Sequence, residues 1–368
     1  MLLRILTYEL TGDTAWVGVI LAIYFLSFFI FGLLSGAVAD WIDQRILLRR
    51  IELYTAAILF TFAITTVGNL SFWFIAAFTL VIGSLRALHQ PLRSAYAYDL
   101  VGRKNLVAAM GLLNLAARIG QLIEALIAGF VMERYGVCAA LSCLAVGHLL
   151  AFIPFKNLRS AGIASTNTRV TIDKNIKEYI SELYSNRLLL ILLAVTAGVE
   201  IFGFSFATVL PEISTDRLNI GAEGLGWLQS ARALAGILAG ITFATFGLRN
   251  HKGAVYLGVI FLFGYAVILL SQQSSLGFTF AAVFLISLCA ASCDILSQSM
   301  MQLSVKNELR ERAIGIWVFA LGFGPLGHLE LGMISGDFGM EQGLLLNGIV
   351  LISIAILVGI IAPRIRNL

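Results

Sequence analysis

The stretch that decides the fold is TAWVGVILAIYFLSFFIFGLLSGAVADWIDQRILLRR, residues 14–50. Its first part, residues 15–39, carries no charged side chain and is long enough to cross the roughly 30 Å hydrocarbon layer of a bilayer as a helix. Its second part, residues 40–50, contains a cluster of arginines. An apolar run that ends in a basic loop predicts a transmembrane helix whose following loop stays in the cytoplasm.

The whole chain shares this apolar character. Of its 368 residues, 59% are hydrophobic and only 12% are charged, and the mean hydropathy is +0.91. Soluble domains carry about a quarter charged residues. Apolar runs long enough to span a bilayer recur and no alternating barrel pattern dominates, so the sequence predicts an all-α membrane protein. The eleven predicted spans are residues 15–39, 51–67, 71–92, 105–131, 137–155, 187–210, 224–247, 253–271, 276–300, 312–336 and 342–362.

The distribution of basic residues predicts the orientation in the membrane. Nineteen of the 25 Lys and Arg residues fall in loops on one side, and only Arg4, Arg134 and Arg217 fall on the other. Loops rich in Lys and Arg stay in the cytoplasm. We therefore expect a multi-pass protein of the plasma membrane, the inner membrane of a bacterium, with its C-terminus in the cytoplasm.

One long polar segment divides the chain into two predicted helix bundles. Residues 1–155 would form an N-terminal bundle and residues 187–368 a C-terminal bundle, joined by a cytoplasmic loop at residues 156–186. Apolar residues at helical spacing in this loop predict an amphipathic helix on the membrane face, and a solvated linker fits them equally well. These apolar residues are Ile172, Ile176, Ile180 and Leu183.

The two predicted bundles resemble each other in sequence. When the chain is shifted by 204 residues, identical residues coincide at two separated places, with hydropathy and orientation preserved. Parallel halves of this kind are one of the known transporter plans. The coinciding residues are Val101, Ala109, Gly111, Ala116, Gly120 and Leu122 with Val305, Ala313, Gly315, Ala320, Gly324 and Leu326, and Leu34, Gly36 and Arg45 with Leu238, Gly240 and Arg249.

The same shift predicts that a helix is missing. The second half opens with the span at residues 187–210, whose partner in the first half would lie almost entirely before Met1. The chain therefore reads as a twelve-helix protein without most of its first helix. Either Met1 is a misassigned start or that helix has been lost. The spans are accordingly numbered two to twelve.

The segment between spans two and three, GLLSGAVADWIDQRILLRR at residues 32–50, resembles the signature of the major facilitator superfamily. Trp41 stands where that signature usually has an arginine, and Asp43 where it often has a glycine. The resemblance covers the whole chain and implies the major facilitator fold, here two pseudo-symmetric bundles of five and six transmembrane helices. It also implies that the loop acts as a cytoplasmic gate. The matching residues are Gly36, Ala39, Asp40, Arg45 and Arg49.

Finer matches point to one branch of that superfamily. YELTGD at residues 8–13, IGSLRALHQPLRSA at 82–95 and QLSVKNELRERAIGI at 302–316, followed by GPLG at 324–327, resemble the macrolide-efflux and enterobactin-exporter group. The resemblance implies proton-driven export. Span five departs from the exporter pattern, because Gln121 replaces a proline and Glu124 and Ala125 replace a pair of glycines. This departure weakens the inference to drug antiport specifically.

Seven charged residues lie inside the predicted spans. A charge near the bilayer centre costs roughly 2.5–3.5 kcal/mol on insertion scales, so such residues usually face a polar cavity or a partner. The resemblance implies that spans one, four, seven and ten line the central cavity and that two, five, eight and eleven flank it, and all seven fall in these groups. Glu52 lies at the cytoplasmic edge of span three, within snorkelling distance, and His148 in span six is the one exception. The seven are Arg86, Arg118, Glu124, Glu200, Arg232, Asp294 and Glu330.

The polar residues of the spans have two candidate roles. The acids are candidates for proton coupling, because an apolar setting favours a protonated carboxyl group; static ion pairs with arginines are the alternative. The others are candidates for the substrate cavity, with interhelical hydrogen bonding or packing as the alternative. The proton-coupling candidates are Glu200, Asp294, Glu124 and Glu330. The cavity candidates are Arg86, Asn114, Arg118, Gln121, Gln229, Arg232, Gln298 and His328, with Phe25, Phe28, Phe202, Phe204 and Phe206 as possible aromatic contributors.

These features predict a secondary active transporter that exports a drug, a siderophore or a lipid-like compound by alternating access, against inward proton flow. The sequence has no GxxxxGK[ST] loop, nucleophile elbow or metal-binding helix motif, so we expect neither an enzyme nor a cofactor or metal. The expected partners are the small-molecule substrate, protons and the lipid bilayer, with no nucleic acid, and the protein would be a monomer. A non-transporting scaffold lacking the first helix, and a proton-coupled uptake carrier, are the alternatives.

Overall fold

The computed structural model describes residues 2–41, 44–66, 70–156, 186–246, 251–272, 275–305 and 310–366. These ranges are helical and contain no β-strand, which confirms the predicted all-α class. The predicted central loop at residues 156–186, with its amphipathic helix, lies almost wholly outside the described residues. The α-helices are α1 (Leu2–Thr11), α2 (Thr14–Trp41), α3 (Gln44–Thr65), α4 (Phe72–Lys156), α5 (Arg187–Phe202), α6 (Leu210–Glu212), α7 (Gly221–Phe246), α8 (Lys252–Gln272), α9 (Leu276–Leu303), α10 (Arg310–Leu321), α11 (Gly324–Phe338), α12 (Met340–Ile361) and α13 (Pro363–Arg366).

Within the described residues, seven helical segments are long and apolar enough to cross a membrane. They coincide with predicted spans four, seven, nine, ten, eleven and twelve, and one long segment covers most of spans five and six. The start of α2, Thr14–Ser27, forms a shorter apolar helix. The seven segments are Phe72–His89, Leu115–Pro154, Arg187–Arg217, Lys252–Gln272, Leu276–Leu303, Ile316–Phe338 and Met340–Ile361.

Helix α4 contains three predicted spans in one helical run of 85 residues. A straight helix of that length would measure roughly 130 Å, about four times the hydrocarbon layer. The run therefore folds back, and one turning point is Gly136, whose φ of 81° is a left-handed conformation that glycine adopts without strain. The prediction of a loop at residues 93–104 is wrong in one respect, because the backbone there is helical.

The chain divides into two compact units. Unit 1 comprises Met1–Gly12, Ile20–Arg169 and Asn219–Ser230, and unit 2 comprises Asp13–Val19, Val170–Leu218 and Ala231–Leu368. The first turn of α2 thus belongs to unit 2, and the first turns of α7 belong to unit 1.

The core of unit 1 lies between α3 and α4. A buried apolar cluster formed by Leu48, Ile51, Leu92 and Tyr96 joins these helices. Farther along α3, the Phe62 ring stacks on Phe78 with ring centroids 3.9 Å apart. The start of α7 is held in the same unit, because Glu133 Oε2 accepts a hydrogen bond of 2.8 Å from the backbone N–H of Ala222. A carboxylate at this position satisfies an N–H group that a helix start leaves unpaired.

The core of unit 2 depends on close helix contacts at glycines. A Cβ atom added at Gly264 on α8 would lie 2.6 Å from the backbone oxygen of Gly348 on α12, so these helices pack backbone to backbone. The first turn of α2 packs on α11 in the same way, since a Cβ at Gly18 would lie 3.2 Å from the Cα of Gly332. Small residues permit such contacts in membrane helices, where dispersion forces drive association.

Candidate functional site

Span seven of unit 2 is not a continuous α-helix. Helix α5 ends at Phe202, a 3-10 turn covers Phe204–Thr208, and a π-helical turn at Ile213–Arg217 follows the short α6. Gly203 at the first break has low helix propensity, and Pro211 can start α6 because the first turn of a helix needs no N–H there. Transporters commonly build binding sites at discontinuous helices.

The break is covered by glycine-mediated packing. A Cβ at Gly203 would lie 2.8 Å from the ring of Phe263 on α8. A Cβ at Gly327 on α11 would collide with the backbone oxygen of Ile201 in span seven. Helix α11 therefore lies directly against the main chain of the interrupted span.

Span eleven is also interrupted, close to Glu200 of span seven. Helix α10 ends at Leu321, and α11 begins at Gly324 with Pro325 in its first turn. A Cβ at Gly324 would lie 3.7 Å from Glu200 Oε2, so the carboxyl group of Glu200 is near the N-terminal end of α11. The positive end of a helix dipole favours negative charge at this position.

Glu200 has several titratable neighbours within unit 2. Its side chain is buried, and it interacts electrostatically with Asp294 on α9 and with the buried Tyr256 on α8. Cys293 on α9 interacts with the same groups. The Tyr256 hydroxyl is 3.5 Å from Thr196 Oγ1, one helical turn before Glu200. The structure thus brings two of the predicted proton-coupling candidates, Glu200 and Asp294, into one electrostatic cluster.

A second polar cluster forms at the 3-10 turn. The Asn347 amide nitrogen on α12 donates to Ser205 Oγ at 3.1 Å and to Glu330 Oε2 at 3.2 Å. Asn347 and Ser205 have no exposed surface. Glu330, another proton-coupling candidate, is half-buried. Sequence reasoning missed Asn347, although a lone amide within the apolar run LLLNGIVLI was a usable signal.

Two further predicted residues contact the interrupted span. His328 on α11 is buried, and its Nδ1 lies 2.9 Å from Thr208 Oγ1 at the end of the 3-10 turn. The guanidinium carbon of Arg232 on α7 lies 4.8 Å from the centroid of the Phe206 ring, a cation–π geometry. Gln298 is half-buried on α9, one turn after Asp294.

The remaining candidates belong to unit 1. The guanidinium groups of Arg86 on α4 and Arg4 on α1 both interact electrostatically with Glu124 and with Tyr24. Glu124 thus has its charge partners on other segments, and Arg4 is a residue that sequence reasoning did not select. Gln229 lies in the part of α7 that belongs to unit 1, and it is half-buried. Arg118 and Gln121 on α4 are half-buried too. Asn114 has a helical backbone, and its side chain is outside the described part.

The gate motif is partly described. Gly36 and Asp40 lie in the last turns of α2, with backbone but no side chain described, and Arg45 and Arg49 are half-buried on α3. Of the aromatic contributors, Phe25 is exposed on α2, Phe202 and Phe204 are half-buried and Phe206 is buried. The side chain of Phe28 lies outside the described residues.

His148, the exception to the sorting of polar residues, contacts Glu52 at the edge of span three. His148 Nδ1 lies 2.6 Å from Glu52 Oε2, and His89 Nε2 lies 3.0 Å from Glu52 Oε1. These groups are therefore paired inside unit 1. Among the described residues, no cluster of three or more His, Cys, Asp or Glu residues has the geometry to hold a metal ion.

The family model described as Major Facilitator Superfamily matches residues 1–212, more than half of the chain. The chain belongs to the major facilitator superfamily. No curated protein matches this superfamily member.

Solved transporters share its fold. A mutant of the peptide transporter POT in complex with sulfate has a TM-score of 0.76 at 16% identity, covering 99% of this chain and 91% of that one. An inward-facing bacterial homolog of the human lysosomal transporter Spinster has a TM-score of 0.78 at 13% identity, covering 99% and 94%. The nucleoside transporter NupG has a TM-score of 0.75 at 15% identity, covering 96% and 92%.

These findings confirm the predicted major facilitator fold and show a multi-pass membrane protein with a role in transport. Its substrate is accordingly a small molecule. The macrolide-efflux and enterobactin-exporter branch, the missing first helix, the direction of transport and the roles of the individual residues stay predictions.

Proposed function

We propose that this superfamily member is a secondary active transporter of the bacterial inner membrane that exports a small organic molecule by alternating access, in exchange for protons. The observation that carries the proposal is the carboxyl group of Glu200, which lies near the N-terminal end of α11 and interacts electrostatically with Asp294. In this proposal the protein acts as a monomer without a cofactor, and its C-terminus lies in the cytoplasm.

The chemistry of this pair suits proton coupling. Two neighbouring carboxyl groups repel each other when both are ionised, so binding one proton stabilises the pair. The N-terminal end of α11 near Glu200 has the opposite effect, because it favours the ionised form. A movement of α11 relative to Glu200 would therefore change the proton affinity of Glu200. A carrier that binds protons on one side of the membrane and releases them on the other requires such a change. Glu330 and Glu124 are the other candidates for this role.

The substrate path would use the arginines and amides that the sequence predicts for the cavity. Arg232 over the Phe206 ring offers a cation beside an aromatic surface, and Arg86 offers a second cation in unit 1. Such groups suit a substrate with anionic and aromatic parts, as in many siderophores and drugs, and the apolar surroundings suit a lipid-like compound. The remaining cavity candidates are Asn114, Arg118, Gln121, Gln229, Gln298 and His328, and the gate candidates are Gly36, Asp40, Arg45 and Arg49.

Two alternatives concern activity and direction. A non-transporting scaffold would need no proton-titrating pair, and the buried Glu200 beside Asp294 argues against it because such a pair costs stability. An uptake carrier would use the same pair with the substrate and protons moving in one direction.

Transport by the purified protein in proteoliposomes tests the proposal. The vesicles are prepared acidic inside, and a macrolide, a siderophore and a lysolipid are supplied outside as labelled probes. An exporter of the proposed kind accumulates its substrate inside, up to about tenfold per pH unit for one proton exchanged, and a protonophore abolishes the accumulation. Accumulation only in vesicles that are alkaline inside would identify an uptake carrier. Absence of accumulation of any probe under both gradients would favour the scaffold.

A further inference from the structure

Unit 1 contains a second group of titratable side chains that the proposed proton pathway does not use. Glu52, in the third turn of α3, is only 6% exposed. Its two carboxylate oxygens face two histidines, His89 Nε2 at 3.0 Å and His148 Nδ1 at 2.6 Å. One carboxylate thus joins three segments of the chain: span three, the end of span four and span six.

The three side chains differ in exposure. Glu52 directly follows Ile51 of the apolar cluster on α3, and His89 lies three residues before Leu92 of that cluster on α4. The histidine side chains retain more exposure, 22% for His89 and 40% for His148.

Other charged groups flank the cluster. Arg49 precedes Glu52 by three residues on α3, and Arg86 and Arg93 lie three residues before and four residues after His89 on α4. At these spacings they are neighbours on the helix surface. The charged residues nearest to His148 in sequence are Arg134, 14 residues before it, and Lys156, 8 residues after it.

We propose that Glu52, His89 and His148 form a second protonation site, whose occupancy sets the position of span four. With both imidazoles neutral, each has one N–H group that it can direct at a carboxylate oxygen. Uptake of a proton from water by either imidazole adds a charge-to-charge attraction and draws the three segments together. Arg86 is one helical turn from His89, so a change in the protonation of this site would also move an arginine of the proposed substrate path. The proposal does not depend on Glu200 or on the direction of transport.

The pH dependence of thermal unfolding in detergent tests the proposal. A protein that binds a proton more tightly at this site when folded than when unfolded gains stability as the pH falls. We expect the melting temperature to rise by roughly 1–2 °C between about pH 8 and about pH 6 because of this site. Glu52→Gln should lose at least half of the wild-type rise.

Two further variants keep the test decisive. His148→Asn changes a more exposed position and should fold even where Glu52→Gln does not, and it should lose the same part of the rise. His251→Asn is the matched control, because His251 is exposed and Asn tolerates its φ of 61°. An equal rise in wild type, His148→Asn and His251→Asn would overturn the proposal.

Hydrogen exchange separates positioning from plain stability. After correction for the intrinsic pH dependence of exchange, peptides covering residues 81–92 of the wild type should become at least twofold better protected at the lower pH. Peptides of α8 in unit 2 should not change. The difference should vanish in His148→Asn, and protection of span four that is unaffected by pH in the wild type would contradict the positioning role.

Discussion

Asn347 lies on α12 without exposed surface, and its amide nitrogen is 3.1 Å from Ser205 Oγ and 3.2 Å from Glu330 Oε2. Among the contacts described, Asn347 is the one side chain that connects α12 both to the 3-10 turn of span seven and to Glu330 in span eleven. Inside a bilayer such polar groups lack water as an alternative partner. Removal of Asn347 therefore leaves two partners without their donor.

We predict that Asn347→Ala lowers the free energy of unfolding by about 1–3 kcal/mol, because Ser205 and Glu330 lose a buried hydrogen-bond donor. Unfolding in mixed micelles measures the change. Ser353→Ala is the matched control, since Ser353 is on the same helix but exposed, and it should change stability by less than about 0.5 kcal/mol. Equal effects of the two substitutions would mean that the Asn347 cluster contributes nothing.

Individual residues also show where sequence reasoning reached its limit. The acids Glu200 and Asp294 are each conspicuous in an apolar run of the sequence, and the structure brings the buried Glu200 and the half-buried Asp294 into electrostatic interaction. The pairing of Glu52 with His148 is a contact over 96 residues of sequence, and helical spacing along one segment carries no information about it. Arg4 was overlooked because it lies in the short α1, outside the predicted spans.

At the scale of elements, the interruptions of spans seven and eleven face each other. Glycine and proline residues lie at both places in the sequence: Gly203 and Pro211 in span seven, and Gly322 and Pro325 in span eleven. Hydropathy alone does not distinguish a broken span from a continuous one, so both segments were predicted as single helices. The contact of Gly327 with the backbone of Ile201 depends on tertiary packing and could be found only in the structure.

We predict that Gly327→Ala destabilises unit 2 by about 1–3 kcal/mol, because its methyl group would collide with a backbone carbonyl that cannot rotate away. Gly258→Ala on α8 is the matched control, since no atom lies within 4 Å of the added Cβ. This control should be neutral or stabilise the helix by about 0.5–1 kcal/mol. Thermal unfolding of both variants is the measurement, and tolerance of Ala at 327 would show that α11 is free to shift away from span seven.

At the scale of the whole molecule, the sequence predicted the all-α class and the family fold because apolar runs and the loop signature are local features. It also located most spans, since lipid requires long apolar helices. It did not predict that residues 93–104 are helical, because polar sequence between two spans is typical of a loop. The proton-coupled export that we propose depends on contacts between distant helices, so it needs a functional test.

The measurement that tests the central claim most directly is proton-driven transport by Glu200→Gln in proteoliposomes, for the substrate that the wild type accumulates. We predict that Glu200→Gln loses accumulation driven by a pH gradient but retains substrate exchange between the two sides without a gradient, because glutamine fits the site and cannot carry a proton. Asp337→Asn, which changes an exposed carboxyl group on α11, should behave as the wild type does. Full gradient-driven accumulation by Glu200→Gln would contradict the account.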